Sequence, residues 1–207
     1  MMMVTRIEEV TKSRSRIVLE EEISFVLYKG ELRKFHIFEG GEITQESYDT
    51  IMGELLPKRA KLRAMNLLKN REYTVKQLRD KLLQSGYPEK IAEEALHYVG
   101  SFHYTDDLRY AVAFISDHER TRSRRRMEQD LMAKGIDRDV IDKAWREWEE
   151  RGGSQDEQAM IDALLQKKHF VPEEADRKEK QRMYGFLVRK GFSGEQARKA
   201  VLADSYI

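Results

Sequence analysis

At 207 residues, 36% of them charged and 40% hydrophobic, the chain has room for one large domain or a row of small ones with thin cores. It has no cysteine, which excludes disulfides and thiolate metal sites and fits a reducing cytoplasm. No apolar run approaches the roughly 20 residues of a membrane span, and the start MMMVTRIEEV has no signal-peptide core, so a cytoplasmic protein with no membrane contact is expected.

Residues 1–43 carry a strand signal. Ile17 and Leu19, then Ile23, Phe25 and Leu27, alternate with polar neighbours at period two. A small antiparallel sheet is expected, with a turn at Lys29-Gly30, and Leu32–Phe38 reads equally as a strand or a helical turn. Thr44 reads as the N-cap of a helix over Gln45–Leu55, and Pro57 as the opening of a separate helix, Lys58–Lys69.

From there the chain repeats itself. Leu78–Val99, Met127–Trp148 and Met183–Asp204 align on Gly86, Gly135 and Gly191. Leu78, Met127 and Met183 match, as do Leu82, Leu131 and Leu187, then Leu83, Met132 and Val188. Beyond the glycine the matches are Tyr87, Ile136 and Phe192, then Ala95, Ala144 and Ala200, then Leu96, Trp145 and Val201. The spacing places the apolar residues on one face of each of two helices. Glycine at the join fits the left-handed position just past a helix end, where a side chain is strained. Pro88, Asp137 and Ser193 then open the following helix.

A leading helix completes each unit: Lys58–Lys69 in the first, one starting at Thr105-Asp106-Asp107 in the second, one starting at Ser154 in the third. The stretch 171–180 is a loop or an extension of the third unit's second helix. The expected fold is mostly α: three tandem three-helix repeats in an elongated curved body, at 57–104, 105–151 and 152–207, behind a β-containing segment with a helix at 1–56. One repeat cannot bury its apolar face alone, so the units pack on one another. Residues 57–207 are expected to fold without the first 56.

Catalytic signals are poor. No phosphate-cradling glycine loop occurs, and the five histidines share no metal-ligand spacing, so no enzyme activity, metal or cofactor is expected. Asp106 and Asp107 read as a helix cap and a first-turn acid rather than as a catalytic pair, because adjacent helical residues point about 100° apart. Trp145 and Trp148 form an apolar stripe with Ile141 and read as core.

Charge is segregated. In the helices before the glycines (74–84, 120–134, 176–190) Lys and Arg far outnumber Asp and Glu, whereas after the first two glycines (88–99, 137–150) acids dominate. A helix-turn-helix that reads DNA puts its second helix in the major groove, so acidic second helices disfavour that mode. The basic helices instead offer a polyanion-binding stripe: Lys76, Arg79, Arg120, Arg122, Arg124, Arg125, Arg126, Lys134, Arg182, Arg189 and Lys190. The arginines from 120 to 126 are its sharpest part. With acids scarce in the nearby sequence, and Arg124–Arg126 set against the positive end of a helix dipole, the cluster reads as gaining nothing for folding.

The stretches KRAKLRAMNLL, YTVKQLRDKLLQSGY, FHYTDDLRYAVAFI and SRRRMEQDLMAKGI resemble the RecX regulatory proteins of bacteria. The resemblance rests on Tyr104-Thr105-Asp106-Asp107 followed by Arg125, Arg126, Leu131, Lys134, Gly135 and Ile136, and covers about 57–207. Met127 departs from the β-branched residue common there, and the approach to Gly191 is longer than usual. The resemblance implies tandem three-helix repeats and a monomer that binds the RecA recombinase filament on single-stranded DNA. It also implies modulation, most often restraint, of filament growth, ATP hydrolysis and strand exchange in DNA repair, recombination and the SOS response. Single- or double-stranded DNA would meet the basic stripe. A nucleic-acid-binding repeat protein with no recombinase partner is the alternative reading.

Overall fold

In a computed structural model, the structure describes residues 2–20 and 23–202. Asp204, where the third repeat stretch ends, lies outside them. The chain divides into two compact units, 1–106 and 107–207.

The first unit opens with three strands, β1 (Met2–Thr11), β2 (Arg14–Leu19) and β3 (Ser24–Tyr28), joined later by the short β4 (Glu42–Ile43). The sheet is antiparallel in the order β3-β2-β1-β4, with Ile7 opposite Ile17 and Ile17 opposite Phe25. The alternation of β2 survives, but Phe25, Val26 and Leu27 are all buried, because β3 is covered on both faces.

The expected turn at Lys29-Gly30 is instead the first turn of α1 (Lys29–Lys34), which settles Leu32 as helical. The Glu31 carboxylate accepts the Tyr28 N–H at 2.7 Å and draws the helix start back onto the strand end. Thr44 does cap α2 (Gln45–Thr50), its hydroxyl accepting from the Ser47 N–H.

Pro57 does not open a separate helix. α2 runs through a π-helical turn, Ile51–Leu55, straight into α3 (Leu56–Leu68). A proline within a helix has no N–H and crowds the carbonyl four residues back. The widened turn, with the Leu56 N–H on the Ile51 carbonyl, absorbs it. The expected boundary at 56/57 therefore falls inside a continuous helical run.

α3 packs on α5 (Glu89–Ser101), with α4 (Val75–Gln84) closing the first repeat. Sheet and repeat share one core: Val4, Ile17, Leu19, Phe25 and Leu27 meet Ile51, Leu56 and Ala60, and then Leu78, Leu82, Ile91 and Val99.

In the second unit, α6 (Asp107–His118), α7 (Arg124–Ala133) and α8 (Arg138–Glu150) form one repeat, and α9 (Glu157–Lys167), α10 (Arg177–Arg189) and α11 (Gly194–Leu202) the next. Asp107 sits in the first turn of α6. The third leading helix begins later than Ser154, because the Asp156 carboxylate caps it through the Ala159 N–H. The 171–180 stretch is loop until Asp176, which forms a capping box with Glu179.

Trp145 and Trp148 are core, their rings edge-to-face at 5.3 Å. The third repeat is thinner: Ile161, Leu187, Phe192, Ala197 and Val201 are buried, while Met183, Phe186 and Ala200 only lean on them.

The repeat glycines adopt the expected conformation. Gly86, Gly135 and Gly191 have φ of 89°, 86° and 96°. In each case the next residue's N–H reaches back to the carbonyl of Leu82, Leu131 or Leu187, closing the helix end. Two of these sites also need the missing side chain. A Cβ on Gly86 would stand 2.8 Å from Val26 Cβ, and one on Gly191 would stand 2.8 Å from Arg126 Cβ.

The histidines explain themselves in the same terms. His36, His103 and His169 follow α1, α5 and α9 at φ of 53°, 56° and 50°, the helix-ending role played elsewhere by glycine. Among the described residues no group of three or more His, Asp or Glu is placed to hold a metal ion.

Candidate polyanion interface

Ser123 starts the site. It is fully buried, caps α7 by accepting the Arg126 N–H, and donates from Oγ to the Lys190 carbonyl at 3.1 Å. The N-terminus of α7 is thereby clasped to the C-terminus of α10, and Gly191 supplies the space.

Beside this clasp lies an open groove of about 930 Å³ between the two helices, lined by Arg122, Arg126, Lys134, Arg189 and Lys190. Among the described residues Asp130 is its one acid, held by Arg122 at 2.7 Å and by Arg126 at 3.0 Å. Beneath it, the stacked rings of Tyr110, Phe114 and His118 run along α6, with Arg122 and Lys134 both within 6 Å of the Phe114 ring. A cation set over an aromatic face is held by the ring's quadrupole.

Five of the predicted stripe residues thus share one surface. The others do not. Arg120 is almost fully exposed, 3.7 Å from Glu119, and Arg182 lines a separate cleft beside α10. Arg124 and Arg125 face away from the groove, beside Glu157 and Gln196. Lys76 and Arg79 belong to α4 in the first unit. Arg79 is occupied by Glu89 and by Glu93 at 2.5 Å, the Glu93 hydrogen bond holding its guanidinium above the usual value.

The expectation that the arginine cluster lacks compensating acids is wrong. Arg124 reaches Glu128 at 3.3 Å and Glu149 at 3.2 Å, and lies over the Trp145 ring at 4.4 Å. Its backbone N–H donates to Glu157 Oε1 at 2.7 Å, so a carboxylate from α9 faces the positive end of α7. These acids are distant in sequence and near in space. Arg125 is the member for which no ion pair is seen among the described residues.

Two residues of the site were missed. Asp130 fixes the geometry of Arg122 and Arg126. Phe186 lines both the groove and the neighbouring cleft. An aromatic one turn before Arg189 and Lys190 was the available signal.

Fold and site together define a tandem helical repeat protein with a cationic groove between α7 and α10. Family models match all three repeats: the first, second and third three-helix domains of RecX, over residues 60–98, 106–144 and 155–201. The chain belongs to the RecX family.

It is 29% identical over 202 residues to the regulatory protein RecX of Caldanaerobacter subterraneus subsp. tengcongensis, covering 97% of this chain and 98% of that one. Its identity to the regulatory protein RecX of Vibrio vulnificus is 32% over 139 residues, covering 67% and 88%. Among solved structures, a crystal structure of regulatory protein RecX aligns over 99% of this chain and all of its own, with TM-score 0.58 and 21% identity. RecX from Lactobacillus salivarius aligns over 70% of this chain and 94% of its own, with TM-score 0.53 and 19% identity. These two carry the fold. No helix among the described residues is long and apolar enough to cross a membrane.

Proposed function

We propose that this chain acts in the cytoplasm as a monomer that binds the RecA recombinase in its filament on single-stranded DNA. There it restrains filament growth, ATP hydrolysis and strand exchange during DNA repair, recombination and the SOS response. Membership of a family of regulatory proteins supports the partner. The mode of action rests on the α7–α10 groove, which five cations line. No reaction is required. Repeats in tandem let several weak contacts act together through effective concentration. A ligand that prefers one state of the filament shifts it towards that state.

The test is co-sedimentation with recombinase filaments, with nucleic acid alone as control, and recombinase ATP hydrolysis on the same samples. The expected outcome is filament-dependent sedimentation and slowed hydrolysis, both weakened by Arg126→Glu with Arg189→Glu. Equal sedimentation with bare nucleic acid and unchanged hydrolysis would instead support a nucleic-acid-binding protein with no recombinase partner.

A further inference from the structure

The groove and the cleft beside it meet at one side chain. Phe186, half-buried on α10, lines both the 930 Å³ groove and a cleft of about 630 Å³. Lys168 Nζ stands 5.5 Å and Lys190 Nζ 5.7 Å from its ring centroid. Folding does not demand an aromatic there, because Ile161, Leu187, Phe192, Ala197 and Val201 close the third core and Phe186 only leans on it.

The preceding residue is equally unexpected. Gly185 lies inside α10, where glycine is less favourable than alanine, and its bare backbone leaves room for the Arg189 guanidinium. A Cβ would stand 3.2 Å from Nη1.

The two sides of Phe186 differ in charge. Among the described residues the groove side holds Arg122, Arg126, Lys134, Arg189 and Lys190 against Asp130. On the cleft side Lys168 and Arg182 face Glu174 and Glu179, around the apolar surfaces of Phe170, Val171 and Met183. Phosphates are therefore favoured on the first side and a flat, uncharged ring on the second.

We propose that Phe186 is a base-stacking residue that makes this site selective for single-stranded nucleic acid. The strand's phosphates lie in the groove, and one unpaired base turns into the cleft against the Phe186 ring. A duplex satisfies the phosphate side equally well, but its bases are already stacked on one another and offer no free face. Lys168 and Lys190, which sit over the ring in the free protein, move to the phosphates and uncover it. The inference rests on the groove as the polyanion site of the proposed function, and specifies what it grips.

The experiment uses the full chain without recombinase. Fluorescence anisotropy measures binding of a labelled oligothymidylate, an abasic strand of the same length and a duplex, across a salt titration. The wild type should prefer oligothymidylate over the abasic strand. Phe186→Leu, which keeps apolar bulk on α10, should lower oligothymidylate affinity by about tenfold and leave abasic and duplex binding and the salt slope unchanged. Arg126→Glu and Arg189→Glu should weaken all three probes and flatten the slope by about one for each phosphate no longer neutralised.

Three results would overturn the proposal: no loss in Phe186→Leu, an equal loss on every probe, or no binding of any probe by the wild type at low salt. Failure to slow recombinase ATP hydrolysis, with the tenfold difference intact, would remove the filament reading and leave the stacking assignment standing.

Discussion

The three repeats place the same two positions in contact and fill them with three different chemistries. In the first, Arg79 on α4 meets Glu89 on α5. In the second the polarity is inverted: Glu128 on α7 meets Arg138 on α8 at 3.4 Å. In the third, Tyr184 on α10 reaches over Gly194, whose Cβ would stand 3.0 Å from the phenol oxygen. The fold prescribes a contact between second and third helices and leaves its charge open. A cation at such a position is consumed by its own repeat, which is why Arg79 makes a poor ligand. The groove cations differ, since five of them line a surface whose one acid among the described residues, Asp130, is held by Arg122 and Arg126.

The repeats also differ in what supports them. The first leans on a sheet, while the third relies on its neighbour through Ser123 and Gly191. The largest predicted effect breaks this contrast. Phe25→Ala removes a fully buried ring from the shared core and should cost about 3–5 kcal/mol. Phe186→Leu, at a half-buried site, should cost under about 1.5 kcal/mol. Chemical denaturation of both variants measures the difference. The same core revises the expectation that residues 57–207 fold alone. Without Val4, Ile17, Phe25 and Leu27 the first repeat exposes the face that Leu78 and Leu82 present, so a chain starting at Pro57 should lose the folded first repeat while the second compact unit still melts cooperatively.

The glycines come next. Gly191→Ala should exceed Gly152→Ala in cost, although their φ values are 96° and 87°. A side chain at Gly152 meets open space and costs only the left-handed strain of about 1–2 kcal/mol. At Gly191 it also collides with Ser123 and Arg126, separating α7 from α10. Equal melting temperatures for the two variants would show that the clasp does not couple the repeats.

What the sequence made legible was whatever depends on neighbours along the chain. Leu82, Leu131 and Leu187, the three glycines and the capping role of Thr44 follow from local spacing and backbone sterics. The partners of Arg124 did not, because Glu149 and Glu157 arrive from other helices. Nor did the π-helical turn before Pro57, because a proline reads from sequence as a helix start rather than as a residue that a widened turn absorbs. Local alignment also overreached: Met132 and Val188, aligned with the half-buried Leu83, are exposed. The groove itself exists only once α7 and α10 are clasped.

Within the arginine cluster the structure divides the expected signs. Arg125→Glu places an acid in the first turn of α7 where no ion pair is broken among the described residues, and should stabilise by about 0.3–1 kcal/mol at low salt. Arg124→Glu loses Glu128, Glu149 and the Trp145 ring, and faces like charge one turn on. It should destabilise by about 1 kcal/mol. Thermal melts of the two single variants decide it. Two shifts of the same sign would mean that the pairing around Arg124 contributes nothing.

The smallest effect tests the comparison among repeats directly. If the Glu128–Arg138 contact is one solution to a geometry that the third repeat meets without charge, its coupling energy should be modest and electrostatic. A double-mutant cycle with Glu128→Gln and Arg138→Gln should give about 1 kcal/mol in dilute buffer, the upper end of the range for exposed pairs, because Glu128 is largely covered while Arg138 is exposed. Arg124 and Asp142 are the competing partners, and each single variant leaves its own competitor in place. At 1 M salt, where screening acts over about 3 Å, the coupling should nearly vanish. Gly194→Ala, which asks only that the far end of Tyr184 give way, should change stability little and by the same amount at either salt concentration. A Glu128–Arg138 coupling that persists undiminished at high salt would show packing rather than charge at that position. The inverted polarity of the first two repeats would then have no electrostatic meaning.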